Sequence, residues 1–228
     1  MILQYVVPLY AVILLLITGV AAILFSVFMV LDFLKNKKMY HLLWAIAFFV
    51  LFAAGVILVI GRDYGVLLHW TVSFLAVFIP GGIAGGLFYS SIFDEEKSKK
   101  FGLAYLIFVG VGALLILLTK TIPAWADLAK WAVMLVHIPS GLAMVILPFL
   151  VYKKNTGEWT PLLVSIGGAV MSLAGMLLAI MIAGGVSSLA GFIFGALPFL
   201  LLIAAVCFAF GFVLTKQWTF AFPFIKVE

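Results

Sequence analysis

Apolar and polar positions segregate along this chain in long blocks. Apolar runs occupy approximately 5–31, 41–61, 66–92, 102–120, 131–152, 161–183 and 189–214, and short polar breaks separate them. Each run approaches or exceeds the roughly 20 residues that a helix needs to cross a hydrocarbon core of about 30 Å. The pattern predicts an all-α, polytopic membrane protein, a seven-transmembrane-helix bundle in which residues 1–228 form a single transmembrane domain. The break "AGGVSS" between the last two runs carries no charge, yet 161–214 is too long for one span.

Composition agrees with the blocks. Hydrophobic residues make up 67% of the chain and charged ones 9%, against roughly 25% charged in soluble domains. A net charge of +5 does not imply nucleic acid, because the lysines lie in short clusters between apolar runs. Cys207 is a single cysteine inside the last run, so neither a disulfide framework nor a zinc cluster can form within one chain. No basic residue precedes the first apolar run, whereas Lys35, Lys37 and Lys38 follow it. That arrangement predicts a retained first span rather than a cleaved signal.

The positive charges set an expected orientation. Lys35, Lys37, Lys38, Lys97, Lys99, Lys100, Lys153, Lys154, Lys216 and Lys226 fall on one side, and Arg62, Lys120 and Lys130 on the other. The positive-inside rule then places the N-terminus outside and the C-terminus inside, as a multi-pass protein of the cell membrane. Trp70, Trp125 and Trp131 lie near the outer boundary of that arrangement, and Trp44, Trp159 and Trp218 near the inner one, as interfacial indoles do. The mixed run "DEEKSKK" at 94–100 reads as a solvated turn, with a docking surface for a cytoplasmic partner as the sharper alternative.

No Asp, Glu, Lys or Arg occupies the middle of a run. Ion-coupled transporters, voltage sensors and cation channels place ionisable groups there, so those classes are disfavoured. Aspartyl proteolysis within the membrane is excluded for the same reason. In "IPGGIAGG", Gly81, Gly82, Gly85 and Gly86 form a small-residue face that lets another helix approach closely.

Three histidines remain. His41 starts the second run beside Tyr40, an interfacial position that reads as structural. His69 and His137 lie deeper, about 6 Å below Gly65 and about 10 Å below Lys130 by helical rise. Each precedes a proline, Pro80 and Pro148, by eleven residues in runs of the same direction. If their spans are neighbours, the two imidazoles can face each other, which is how helix bundles ligate haem iron. Ser73, Ser140 and Gly141 would give the porphyrin room or orient the rings, and Trp70 and Met134 would flank a quinone headgroup. The competing reading makes both histidines interfacial or packing residues. Ser140 also lies one turn from His137, but no acid at that depth could orient a serine protease-like base.

Two resemblances sharpen these expectations. "LLHWTVSFLAVFIPGG" resembles the His-Trp openings of spans in b-type cytochrome anchors of respiratory oxidoreductases, and "LVHIPSGLAMVILPF" resembles their His-x-x-x-Gly pattern. "VVPLYAVILLLITGVAAILF" and "GRDYG" are distantly similar to quinol-interacting membrane subunits of the polysulfide-reductase type. The resemblance implies a non-catalytic electron-transfer subunit that holds one haem b, with His69 and His137 as metal ligands, or a quinone, near the outer face. Seven spans with an outer N-terminus also resemble microbial rhodopsins in outline. Retinal is not expected, because 189–214 holds no lysine for a Schiff base. Two other functions compete with electron transfer. One is a sensor or transporter for an uncharged or lipid-like ligand, with kinks at Pro80, Pro139, Pro148 and Pro198; the other is a structural subunit that meets partner subunits of a membrane complex in the lipid bilayer.

Overall fold

A computed structural model describes residues 6–90, 92–184 and 190–218. Lys226 and most of "AGGVSS" lie outside the described residues. Seven helices are long and apolar enough to cross a membrane, and no strand of a sheet forms among the described residues. Helix α1 spans Leu9–Asn36 and α2 Met39–Gly61; the third span comprises α3, Trp70–Ala76, and α4, Phe78–Tyr89. Helix α5 covers Glu95–Thr121, α6 Ala129–Lys154, α7 Pro161–Gly184 and α8 Ala190–Leu214.

The surface inverts that of a soluble protein. Leu9, Ile13, Leu16, Val20, Leu24 and Leu31 of α1 are all exposed, as are Leu103, Ile107, Val111 and Leu114 of α5. Hydrocarbon is the solvent that such a surface suits.

Local chemistry explains the helix ends. Pro8 precedes α1, where its missing N–H costs nothing, and Lys37 ends that helix in the left-handed conformation with its amide bonded to Phe33 O at 2.8 Å. Asp94 caps α5 by accepting from the Lys97 amide at 2.9 Å. The Lys97 side chain and amide hold the Asp94 carboxyl below its usual range. Within "DEEKSKK" the charges pair along the helix, Lys99 with Glu95 at 2.7 Å and Lys100 with Glu96 at 2.6 Å. The run therefore opens α5 rather than forming a turn, because a capping aspartate and two first-turn glutamates suit a helix N-terminus.

Two further expectations change. The apolar run ending at residue 31 stops one turn short of the helix, which continues to Asn36 and carries Asp32 with it. Trp44 and Trp218 are fully buried, not interfacial. Trp44 stacks on Phe212 at 3.9 Å and donates to Ile83 O at 3.1 Å, so its indole N–H is satisfied inside the bundle.

The third span breaks at Val77. Pro80 has no N–H to give the carbonyl four residues back, at Ala76, and the ladder is interrupted there. Beyond the break α4 packs between α2, α5 and α6. The glycine pairs explain how: Gly82 and Gly86 face Leu43, Ala47 and Trp44 of α2, while Gly81 and Gly85 face Val109 and Leu106 of α5. Small residues at four-residue spacing thus serve two helix contacts, not one.

Candidate functional site

Three places carry chemistry: the expected histidines, a buried acid–histidine pair, and an apolar cavity.

His69 is exposed and links the short 3-10 turn Tyr64–Leu68 to α3. Its Nδ1 lies 2.6 Å from Thr71 Oγ1, and its ring is 5.7 Å from that of Trp70, also exposed. The Ser73 hydroxyl donates to Leu67 O at 3.4 Å. His137 is half-buried on α6, and its Nδ1 donates to Val133 O at 3.0 Å, which leaves Nε2 as the acceptor of the neutral ring. Its Cδ2 comes within 3.4 Å of where a side chain at Gly175 of α7 would begin.

Helix α3 packs chiefly on α5, and α6 on α7, α4 and α5. No hydrogen bond or ring contact joins the two histidines among the described residues; their partners are Thr71 and Trp70 for one and Val133 for the other. Ser140 turns away from His137. It donates to Val136 O at 2.7 Å and accepts from the Tyr105 hydroxyl at 2.6 Å, tying α6 to α5. Gly141 instead meets Ser172 of α7 so closely that a methyl group would collide with the serine hydroxyl. Met134 is half-buried on α6. Ser140 and Gly141 are therefore occupied by helix packing.

The acid–histidine pair joins the last turn of α1 to the first of α2. Asp32 Oδ2 lies 2.6 Å from His41 Nδ1, and the two side chains are 2% and 0% exposed. Asp32 Oδ1 accepts from Asn36 at 2.8 Å, and His41 Nε2 faces Trp218 O at 3.3 Å. A carbonyl only accepts, so Nε2 carries a proton, and the short contact to Asp32 requires a second one between the partners. A catalytic dyad aims Nε2 at a nucleophile or substrate. Here Nε2 is turned to the backbone, so the pair fastens the α1–α2 hairpin to the turn after α8.

Sequence reading missed this pair because Asp32 falls just past an apolar run. The available signal was an acid in the last turn of a helix, where the dipole disfavours it, nine residues before a histidine across a tight connection.

The cavity, of about 130 Å³, lies among α1, α2, α3, α7 and α8. Leu15 and Gly19 face it from α1, Ala54 and Gly55 from α2, and Val72 and Ala76 from α3. Ile79 of α4, Leu67 of the turn before α3, Leu178 of α7 and Leu197 and Leu201 of α8 also line it. Thr18 is its polar residue, and that hydroxyl is already donated to Leu14 O at 2.8 Å. Small side chains make the space: nothing comes nearer than 3.8 Å to where a methyl at Gly55 would sit.

Helix packing runs in sequence around the cavity, from α3 to α2, α1, α8 and α7, but among the described residues α3 and α7 make no substantial contact with each other. The Val77 break accounts for the gap, since it sends α3 onto α5 while α4 stays against α6.

An all-helical, multi-pass membrane protein of seven spans, with an apolar intramembrane cavity, is the class that fold and site define. No family model matches the chain, and neither a curated protein nor a solved structure does.

Proposed function

We propose that this protein takes an uncharged, lipid-like molecule from the bilayer into the cavity beside α3, as a sensor or a transporter. The observation that carries the reading is the cavity itself: hydrocarbon-lined, made by Gly19, Ala54, Gly55 and Ala76, and flanked by α3 and α7, which make no substantial contact with each other among the described residues. An apolar space of about 150 Å³ stays dry and takes up small hydrocarbons, and this one is of similar size. Charged ligands would find no partner in its wall. With the lysine-rich end inside, the cavity lies in the outer half of the bundle.

The test uses the intact protein in mild detergent and a photoreactive alkyl alcohol. Ala54→Phe places a ring in the cavity and should cut labelling by about tenfold or more, equivalent to about 1.4 kcal/mol or more of binding. Undiminished labelling would overturn the reading. A reduced-minus-oxidised visible spectrum separates it from electron transfer: a b-type absorbance lost in His69→Ala or His137→Ala would establish haem ligation instead.

A further inference from the structure

Away from the cavity, His137 presents a polar atom with nothing bound to it. Its Nδ1 donates to Val133 O, so Nε2 carries a lone pair, and that atom has no hydrogen-bond partner among the described residues. Nor is it sealed in. The Tyr64 and Ser98 hydroxyls and the Trp218 indole N–H are enclosed without a partner, whereas His137 is half-buried and its Nε2 is not enclosed.

The packing of α6 on α7 makes the opening. Toward the lysine-rich end the two helices touch closely: a methyl group at Gly168 would strike the backbone of Met144, and one at Gly141 the hydroxyl of Ser172. One turn further out, a methyl at Gly175 would meet a single atom beyond its own helix within 4 Å, His137 Cδ2 at 3.4 Å. Cδ2 is bonded to Nε2, so the missing side chain at Gly175 uncovers the edge of the ring that carries the lone pair. Ile138, Leu173 and Met176 beside this notch are exposed. The notch lies about 10 Å below Lys130 by helical rise, where hydrocarbon offers no donor. An open acceptor there is unfavourable until a donor reaches it, and an ionisable side chain within a membrane marks a functional site by default.

We infer that the notch between α6 and α7 binds a lipid of the bilayer that carries a free hydroxyl on an apolar body. The hydroxyl donates to His137 Nε2, and the body lies over Gly175 between the two helices. Ketones, quinones, esters and ethers present acceptors alone and are not selected. The site is separate from the cavity, whose lining takes no residue of α6 among the described residues.

The test uses the intact protein in phosphatidylcholine nanodiscs with a photoreactive decanol, read on the α6 peptide. The competitors are n-decanol and decyl methyl ether at equal membrane concentration. The alcohol should displace the label about threefold to tenfold better than the ether, the range that a neutral hydrogen bond supplies. His137→Phe should remove that preference. Gly175→Leu keeps the histidine, covers its Nε2 edge and should lower labelling of α6 by a similar factor. Equal displacement by alcohol and ether in the wild type would overturn the inference without recourse to a variant, since Nε2 would then be met by water or by nothing. A preference that survives His137→Phe would overturn it as well. So would a loss of α6 labelling in Ala54→Phe, because the probe would then reach α6 only through the cavity. The cavity reading is judged on labelling of α1 and α2, so the two can fail separately.

Discussion

Asp32→Ala should destabilise the protein by about 3–5 kcal/mol, the usual consequence of removing one partner of a buried ion pair. The carboxylate is enclosed with His41 and also accepts from Asn36. Without it, the buried His41 ring gives up its Nδ1 proton and stays neutral, so the bond to Asp32 and the attraction across the pair are lost while the Nε2 bond to Trp218 O remains. The loss reaches three elements at once, because the pair holds α1, α2 and the turn after α8 together. Unfolding in mixed detergent micelles measures the effect. Replacing both members with leucine should recover most of the stability, since apolar groups of similar volume carry no desolvation penalty. A double variant as unstable as the single one would show that the pair's hydrogen bonds, not its compensated charge, hold the hairpin.

The seven spans were legible because bilayer thickness fixes the length of an apolar run, and the runs here are long and cleanly bounded. Their relations to one another were not. Matching depth and a matching proline spacing suggested that His69 and His137 face each other if the third and fifth spans are neighbours; those spans do pack together, but through α4, beyond the Val77 bend from His69. The bend at Val77 sends α3 to α5, and His137 turns toward α7. Asp32 was hidden for a different reason: hydropathy ends a span at the first charge, whereas the helix ends where its ladder of hydrogen bonds does. The cavity left even less trace, since it arises from glycines and alanines on separate helices, and each of them reads as ordinary packing. The glycine pairs of α4 were the exception. Four-residue spacing of small side chains is a local pattern with a direct steric meaning, and both faces are used.

Those glycines supply the second large effect. Gly86→Ala should destabilise the protein by about 1–3 kcal/mol, the range for overpacking a close-packed interior. The added methyl would fall on the indole of Trp44, which has nowhere to go. Its N–H is committed to Ile83 O, one face lies against Phe212, and Trp218 meets it edge-on at 6.0 Å. Relief therefore requires α4 to move away from α2, and that movement would also loosen the contacts of Gly82 with Leu43 and Ala47. Gly110→Ala on α5 is the matched control, because nothing lies within 4 Å of its new methyl. There alanine should be neutral or stabilising by about 0.5–1 kcal/mol, since glycine is the weaker helix former. Equal destabilisation at both positions would mean that the cost comes from the helix backbone rather than from the seam between α2 and α4. A loss confined to Gly86 would identify that seam, with Trp44 at its centre, as the fixed part of the bundle against which the bent third span is set.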